Sequence, residues 1–135
     1  MLGMADGLRV RGDCTRLPFA DAAFDCVIAG LVIGYVECLK EFTLEAARVL
    51  RPNGRLICSD LHPDGRRLGW RRTYRQADGT ISEIAYFWHP FAEIRKALHS
   101  AAFELINFHE PPVPNGAPAE KACPAALIWS ARLRP

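Results

Sequence analysis

The chain has 135 residues, of which 50% are hydrophobic and 24% are charged, and its formal net charge is +2. This length accommodates one domain with a sizeable core. A charge so close to neutral creates no general attraction for nucleic acid. No apolar stretch approaches the roughly 20 residues that span a bilayer, and the first residues lack the pattern of a signal peptide. We therefore expect a cytoplasmic protein with no membrane partner.

The cysteines are widely and irregularly spaced along the chain. None belongs to a CxxC pair, so the sequence predicts neither a zinc site nor a redox dithiol. We expect reduced thiols and no bound metal. The five cysteines are Cys14, Cys26, Cys38, Cys58 and Cys123.

Two strands are predicted in the first thirty residues. A short alternating strand covers Leu8–Arg11, and Gly12-Asp13 ends it. After a loop, the nearly continuous apolar run Phe24–Ala29 predicts a second strand. Such a run is typical of a strand that is covered on both faces, and therefore of a parallel sheet.

An amphipathic helix is predicted from about Glu37 to Leu50. The sequence Arg51-Pro52-Asn53-Gly54 ends it, and Arg55–Asp60 forms another apolar strand. Strand, helix and strand in this order predict a right-handed crossover between parallel strands. The helix has an apolar stripe of Phe42, Ala46 and Val49 and a solvent-facing side of Lys40, Glu41, Glu45 and Arg48.

A hairpin, a helix and two strands are predicted in the rest of the chain. Arg71–Gln76 and Thr80–Phe87 form the hairpin, because Asp78-Gly79 favours a tight primed turn. Pro90 suits the first position of the second helix. The last two strands are Phe103–Phe108 and Ala125–Leu133, with a loop rich in proline and glycine at 111–118 between them.

Three segments carry a recognisable pattern: Gly12–Phe19, Phe24–Val27 and Glu45–Leu56. In residues, order and spacing they resemble class I (Rossmann-like) S-adenosylmethionine-dependent methyltransferases of the small-molecule type. The resemblance implies an α/β fold with a mostly parallel sheet, an antiparallel C-terminal strand, flanking helices and a β-hairpin insertion. It also implies S-adenosylmethionine as the cofactor and a small molecule as the methyl acceptor.

The resemblance implies a single domain with three parts. Residues 1–60 would form the adenine side of the cofactor site, and residues 61–90 the hairpin insertion on the acceptor side. Residues 91–135 would form the C-terminal helix and strands.

The resemblance places the cofactor at two strand ends, where ligands of open α/β sheets collect. Asp13 would accept a hydrogen bond from the adenine amine, and the backbone N–H of Cys14 would face the adenine ring. Ala29 and Gly30 would pass beneath the cofactor, where glycine permits close backbone approach. Two plainer interpretations stay open: Gly12-Asp13 as an ordinary turn, and Gly30 as a residue that eases the turn into the helix.

The family's opening segment has no counterpart in this sequence. That segment is a glycine-rich loop at a helix N-terminus, which holds the methionine end of the cofactor, followed by an acidic residue for the ribose. Gly3, Gly7 and Gly12 do not form such a loop. We therefore expect a truncated domain with weak cofactor affinity. Its unpaired strand edges favour self-association as a homodimer or pairing with a missing N-terminal half.

The catalytic residue stays open in the sequence. Methyl transfer requires alignment of the acceptor, and a general base only where the acceptor must lose a proton. His62 is attractive because imidazole titrates near neutral pH, but it also suits a plain loop before Pro63. Tyr35 either lines an acceptor pocket or packs. Asp60 and His89 also lie near predicted strand ends.

Arginines and aromatic residues alternate between residues 65 and 88. This pattern can bind phosphates and stack bases, but it equally suits a solvated hairpin or a lid over the acceptor. Because the charge is local, the pattern does not favour RNA as a partner. The residues are Arg66, Arg67, Trp70, Arg71, Arg72, Tyr74 and Arg75.

Two functional classes therefore follow from the sequence. The first is a methyltransferase that acts on a small molecule and, as this chain, has weak or no activity. The second is a non-catalytic methyltransferase remnant that serves as an interaction or self-associating module.

Overall fold

The computed structural model describes residues 9–112 and 124–135. A four-stranded sheet and two helices form its centre. A separate two-stranded hairpin follows the second strand of this sheet and precedes the second helix in sequence. In chain order the elements are β1 (Phe24–Gly30), α1 (Leu39–Val49), β2 (Leu50–Leu61), β3 (Thr73–Arg75), β4 (Ile81–Glu83), α2 (Phe91–Ser100), β5 (Phe103–His109) and β6 (Ala126–Leu133). Single 3-10 turns cover Ile33–Tyr35 and Pro63–Arg66.

The sheet has the strand order β1-β2-β6-β5. β1 and β2 are parallel and are connected through α1. β6 lies antiparallel between β2 and β5, so three strands point in one direction and the C-terminal strand in the other. The predicted α/β class, the crossover and the antiparallel last strand are confirmed.

Both helices pack on one face of the sheet. α1 contributes Phe42 and Ala46 to a single buried cluster, and α2 contributes Ile94 and Leu98. Every second residue of the central strands points into this cluster, as expected for a sheet covered on one face. These are Ala29, Leu56, Cys58, Leu127, Trp129 and Ala131.

The opposite face of β1 is exposed, which corrects one prediction. Cys26 is exposed, and Ile28 is 75% exposed. Within residues 9–112 and 124–135 both helices lie on the other face, so the apolar run of β1 is covered on one face only. β1 pairs with β2 and with no other strand of the described part of the chain.

The first predicted strand does not form over its described residues. Arg9, Val10 and Arg11 have no regular structure, because no strand of the described segments lies beside them to satisfy their backbone groups. Leu8 lies outside the described residues. So do Gly3, Gly7, Cys123 and most of the predicted loop at 111–118.

α1 ends as its sequence predicts, although β2 begins earlier than expected. Asn53 adopts a left-handed φ of 66°. A side chain at Gly54 would place a Cβ 2.8 Å from the Arg51 carbonyl oxygen, so this position requires glycine. The pairing of β2 with β1 shifts register here, and the strand therefore extends back to Leu50 through a bulge.

The hairpin forms, but with a different turn. Gly79 has a positive φ of 88°, whereas Asp78 does not, and a type I′ turn needs both. The Gly79 N–H donates to the Gln76 carbonyl oxygen (3.0 Å), and the Gln76 N–H donates to the Thr80 carbonyl oxygen (2.8 Å). The connection is therefore a three-residue loop with glycine in the left-handed position.

The described residues also give findings on the cysteines, on membrane-spanning helices and on metal sites. The described cysteines, Cys14, Cys26, Cys38 and Cys58, are free thiols. No helix of the described segments is long and apolar enough to cross a membrane. No group of three or more His, Cys, Asp and Glu side chains there is arranged to hold a metal ion.

Candidate functional site

The segment from Asp13 to Ala22, which we call the Asp13 loop, runs alongside α1. Its beginning faces the N-terminal end of the helix, since Asp13 and Glu41 line a common groove. Its middle is bound to Glu45 through the Leu17 N–H (2.7 Å). Its end is bound to the carbonyl oxygen of Arg48 through the Ala22 N–H (2.9 Å). The loop thus places Asp13 near the carboxyl edge of the sheet.

Asp13 presents an ionised carboxylate at this edge. Its Oδ1 accepts hydrogen bonds from the Thr15 N–H and the Thr15 hydroxyl, both at 2.8 Å. These two bonds lower the pKa of the Asp13 carboxyl below its ordinary value, the backbone bond having the larger effect. The side chain is exposed, so the carboxylate can still accept a hydrogen bond from a ligand.

A groove of about 540 Å³ separates the Asp13 loop from the segment after β1. This volume lies in the range of small-molecule sites. Burial raises the pKa of the Cys14 thiol, and the Asp13 charge adds to the effect, so Cys14 forms an uncharged part of the wall. The lining residues are Asp13, Cys14, Thr15, Tyr35, Val36, Glu37, Cys38 and Glu41.

Ala29 and Gly30 lie at the carboxyl end of β1 and not in the lining of this groove. Ala29 is buried in the core, whereas Gly30 is exposed. Among the described residues, a Cβ at Gly30 would meet only the Ser59 hydroxyl, at 3.7 Å. The chain itself therefore leaves room for a side chain there, and the predicted cofactor contact of both residues stays a prediction.

Asp60 connects the ends of β1 and β2. Its side chain is buried, and Oδ2 accepts the Gly34 N–H at 3.0 Å. Oδ1 accepts the Leu61 N–H at 2.8 Å and the hydroxyl proton of Tyr86. Burial raises the pKa of Tyr86 strongly, and the bond to Asp60 raises it further. Asp60 is thus a structural acceptor that fixes two segments at the carboxyl edge.

Tyr35 lies between the Asp13 loop and the hairpin. Its hydroxyl accepts a hydrogen bond from Arg72 Nε at 2.9 Å, and the Arg72 guanidinium lies 5.8 Å from its ring centre. Its ring contacts Tyr86 edge to face, with 5.5 Å between the centroids. Tyr35 is exposed and lines the groove, which agrees with a lining role more than with core packing.

A second cavity of about 480 Å³ opens on the other side of Glu37, which lines both. Its wall is formed mainly by the segment after the hairpin and by the start of α2. The other lining residues are Arg66, Tyr86, Phe87, Trp88, His89 and Glu93.

His62 is buried, and both of its ring nitrogens have partners. Nδ1 accepts the Asp64 N–H at 3.2 Å, and Nε2 lies 2.9 Å from Glu110 Oε1. This arrangement requires the neutral tautomer with the proton on Nε2, or the doubly protonated ring with a weakened Nδ1 contact. His62 also caps the turn at Pro63–Arg66. Neither nitrogen is free to take a proton from an acceptor in this conformation.

His89 is likewise buried and engaged. Nε2 lies 2.7 Å from the Val36 carbonyl oxygen, and Nδ1 lies 3.2 Å from Glu93 Oε1. The His89 ring thereby connects the start of α2 to the segment after β1. Of the four candidate bases, Tyr35 is the one that contacts the groove of Asp13.

Four of the five arginines of residues 65–88 contact other groups of the protein. Arg72 binds Tyr35, and Arg67 lies 3.6 Å from Asp64. Arg71 lies 3.6 Å from Glu83, and Arg75 donates to the Gly79 carbonyl oxygen at 3.3 Å. Arg67 and Arg71 therefore lie beside carboxylates that offset part of their charge, whereas the partners of Arg72 and Arg75 are neutral.

Three interactions around the candidate site were not predicted from the sequence. They are the Asp60–Tyr86 bond, the His62–Glu110 bond and the contacts of Glu45 and Arg48 with the Asp13 loop. Each joins segments at least 26 residues apart. The Glu45–Arg48 spacing of three residues is visible in the sequence, but the backbone groups that the pair binds are not.

Comparison with known proteins identifies a matching family and individual relatives. Residues 4–58 match the methyltransferase domain family. The biotin biosynthesis bifunctional protein BioHC of Cellvibrio japonicus (strain Ueda107) is 30% identical over 101 residues, which are 75% of this chain and 20% of that protein. The chain spans about a fifth of the length of the curated relatives it matches.

Solved structures share the fold. An S-adenosylmethionine-dependent methyltransferase from Mesorhizobium loti superimposes with a TM-score of 0.68 at 19% identity, covering 91% of this chain and 68% of that one. The 1,6-didemethyltoxoflavin-N1-methyltransferase of Burkholderia thailandensis was solved with 1,6-didemethyltoxoflavin and S-adenosylhomocysteine. It gives a TM-score of 0.57 at 20% identity, covering 93% of this chain and 50% of that one.

Proposed function

We propose that the chain is a class I S-adenosylmethionine-dependent methyltransferase whose groove binds the adenosyl end of S-adenosylmethionine for methylation of a small molecule. The observation that carries the proposal is the groove itself. It brings the ionised carboxylate of Asp13 and the wall residue Cys14 opposite Tyr35, at the carboxyl edge of the sheet.

The residues present suit an adenine ring. Its exocyclic amine is a donor, and the exposed Asp13 carboxylate is an acceptor that stays charged at neutral pH because Thr15 stabilises it. The uncharged Cys14 provides a wall for the ring. Gly30 has an open backbone, with 3.7 Å between an added Cβ and its nearest neighbour, and this would let a ligand approach β1 closely.

The second cavity is our proposed acceptor site. Tyr86, Phe87 and Trp88 give it aromatic walls, and Glu37 separates it from the groove. The cofactor supplies the methyl group as an electrophilic carbon on its sulfonium. The chain's own residues would hold the acceptor in line with it and exclude water. His62 keeps both nitrogens engaged, so we favour Tyr35, which lines the groove, over His62 as a residue of the active site.

We expect the affinity of this chain for the cofactor to be weak. The described residues offer polar groups to the adenine end, and the sequence contains no glycine-rich loop after a strand to hold the methionine end. An affinity weaker than micromolar is therefore the expected result, and micromolar or tighter binding would contradict it.

Ligand-observed NMR with S-adenosylhomocysteine tests the proposal, because it detects binding as weak as about millimolar. Asp13→Ala should lower the affinity about tenfold, which is the usual effect of losing one hydrogen bond to a charged group. Binding by the wild-type chain that Asp13→Ala leaves unchanged would overturn the assignment of Asp13.

Asp78→Ala is a matched control for this substitution. Asp78 Oδ1 accepts the Thr80 N–H at 2.9 Å, as Asp13 accepts that of Thr15, and the bond likewise lowers the pKa of Asp78. Asp78 lies at the hairpin turn, outside both cavities. The control therefore removes the same local turn interaction and should leave the affinity unchanged.

A second candidate function is a self-associating module without catalysis, and the exposed face of β1 favours it. Ile28 on this face is 75% exposed, and β1 has a free edge within the described residues. Such edges promote pairing with another chain, here a second copy of this one. Light scattering that gives a clean monomer at high concentration would argue against the second copy.

A further inference from the structure

Glu45 and Arg48 lie on the side of α1 that the sequence predicts to face solvent, yet both are engaged. The Glu45 side chain is 13% exposed and that of Arg48 33%. Arg48 Nη2 donates to Glu45 Oε1 at 2.7 Å, and Nε donates to Oε2 at 3.0 Å. This two-pronged geometry is the strong form of an arginine–carboxylate pair.

The other hydrogen bonds of the pair are made to the Asp13 loop. Arg48 Nη2 donates to the Leu17 carbonyl oxygen at 3.0 Å, and Nη1 donates to that of Phe19 at 2.8 Å. Nη1 also binds Asp21 Oδ1 at 2.6 Å. Glu45 Oε1 accepts the Leu17 N–H at 2.7 Å. Both backbone groups of Leu17 are therefore bound to the pair.

All five N–H donors of Arg48 are used by these contacts. The guanidinium thus has no donor left for a ligand. A surface pair that served only helix stability would not need these loop contacts. The geometry indicates that Arg48 orders the loop instead of binding a substrate.

We propose that Glu45 and Arg48 are positioning residues for the cofactor groove, holding the Asp13 loop along α1 so that Asp13 and Cys14 stand opposite Tyr35. This inference rests on the proposed function. Few other bonds fix the loop: within the described residues its backbone–backbone hydrogen bonds are Arg16 N–H to Asp13 O (3.0 Å) and Ala22 N–H to Arg48 O (2.9 Å).

The first experiment measures the loop without any ligand. Amide hydrogen exchange by NMR should show faster exchange at Arg16, Leu17 and Ala22 in Arg48→Ala, by about fivefold or more. Arg51→Ala is the matched control. Arg51 also pairs with one carboxylate, Asp25, at 2.7 Å, but both side chains are largely exposed and neither contacts the loop. It should leave these amides unchanged.

The second experiment measures affinity for S-adenosylhomocysteine by ligand-observed NMR. Arg48→Ala should weaken binding about tenfold, and its effect should not add to that of Asp13→Ala, since both act through the same contact. Arg48→Lys keeps the charge without the planar fork and Glu45→Gln keeps an acceptor for Leu17. Both should give intermediate losses, and they replace Arg48→Ala if that variant does not fold.

The outcomes separate this inference from the proposed function. No binding by the wild-type chain would overturn both. If the wild-type chain binds and Arg48→Ala binds equally well, the positioning role alone is overturned. Loop amides that exchange in Arg48→Ala at the wild-type rate would overturn it too. Additive effects of Arg48→Ala and Asp13→Ala would show that the pair acts elsewhere, and would also overturn it.

Discussion

Two segments without regular structure flank the proposed site, and they are fixed in opposite ways. The Asp13 loop is held by the charged side chains of Glu45 and Arg48, which are in contact with solvent. The segment 84–89 is held by buried groups: Tyr86 binds Asp60, the Phe87 N–H binds the Gly34 carbonyl oxygen (2.7 Å), and His89 binds that of Val36 (2.7 Å).

The difference shows how each side of the proposed site responds to change. Charged contacts at a surface are weak individually and depend on pH and salt, so the cofactor side can be loosened without unfolding the domain. Buried contacts tolerate neither added atoms nor lost partners. Substitutions on the acceptor side should therefore disrupt packing and lower the free energy of unfolding. This distinguishes the two sides by experiment.

The largest expected effect comes from Gly34→Ala. A Cβ at Gly34 would overlap the ring of Tyr86, so the ring must move and release its bond to Asp60. Overpacking and the lost partner together should lower the free energy of unfolding by about 3 kcal/mol, measured by urea denaturation. Gly30→Ala is the control, because its Cβ has 3.7 Å of room; its stability should stay within about 1 kcal/mol of the wild type. Equal losses in the two variants would contradict the close packing at Gly34.

Tyr86→Phe should have a smaller effect that depends on pH. Removing the hydroxyl leaves Asp60 with its two N–H donors and should cost about 1.5 kcal/mol at pH 7. The pKa of Tyr86 is raised above its ordinary value of 10.0. The stability that its protonated form contributes is therefore fully present below pH 10 and is lost as the pH rises further.

Urea denaturation at pH 7 and above pH 10 measures this effect. The difference between the wild type and Tyr86→Phe should shrink in the alkaline range. Tyr74→Phe, at a half-exposed hairpin residue, is the control and should have almost no effect. A difference between wild type and Tyr86→Phe that stays constant with pH would show that Tyr86 is not held by Asp60.

The sequence was sufficient to predict the local and periodic features. The stripe of Phe42, Ala46 and Val49 predicted the buried face of α1, and all three are buried. The run of strand, helix and strand predicted the parallel pairing of β1 with β2. These features depend on residues close together in the chain, so periodicity is enough to find them.

Long-range partners could not be predicted in the same way. Glu45 and Arg48 read as solvent-facing because their charge fits that side of the helix, but their partners are backbone groups of Leu17 and Phe19, about 30 residues away. The two-sided burial of β1 failed for a related reason. An apolar run indicates what a strand can bury, but not which elements lie against it, and Ile28 has no cover in the described part of the chain.

Glu45→Gln should give the smallest effect, and it tests the charged side of the comparison. The bonds from Arg48, and to a lesser degree from Leu17, lower the pKa of the Glu45 carboxyl below its ordinary value of 4.5. Its contribution to stability is therefore fully present above pH 4.5 and is lost as the pH falls through the lowered pKa. The difference between wild type and Glu45→Gln should be at most about 1 kcal/mol at pH 7, and should shrink in acid and in high salt. The control is the same substitution in an Arg48→Ala background, where Glu45 has lost the Arg48 guanidinium. The stability difference between Arg48→Ala and the double variant should vary much less with pH. An acid dependence that persists without Arg48 would show that something other than this pair stabilises the carboxylate, and the contrast between a charged and a buried anchor would no longer hold.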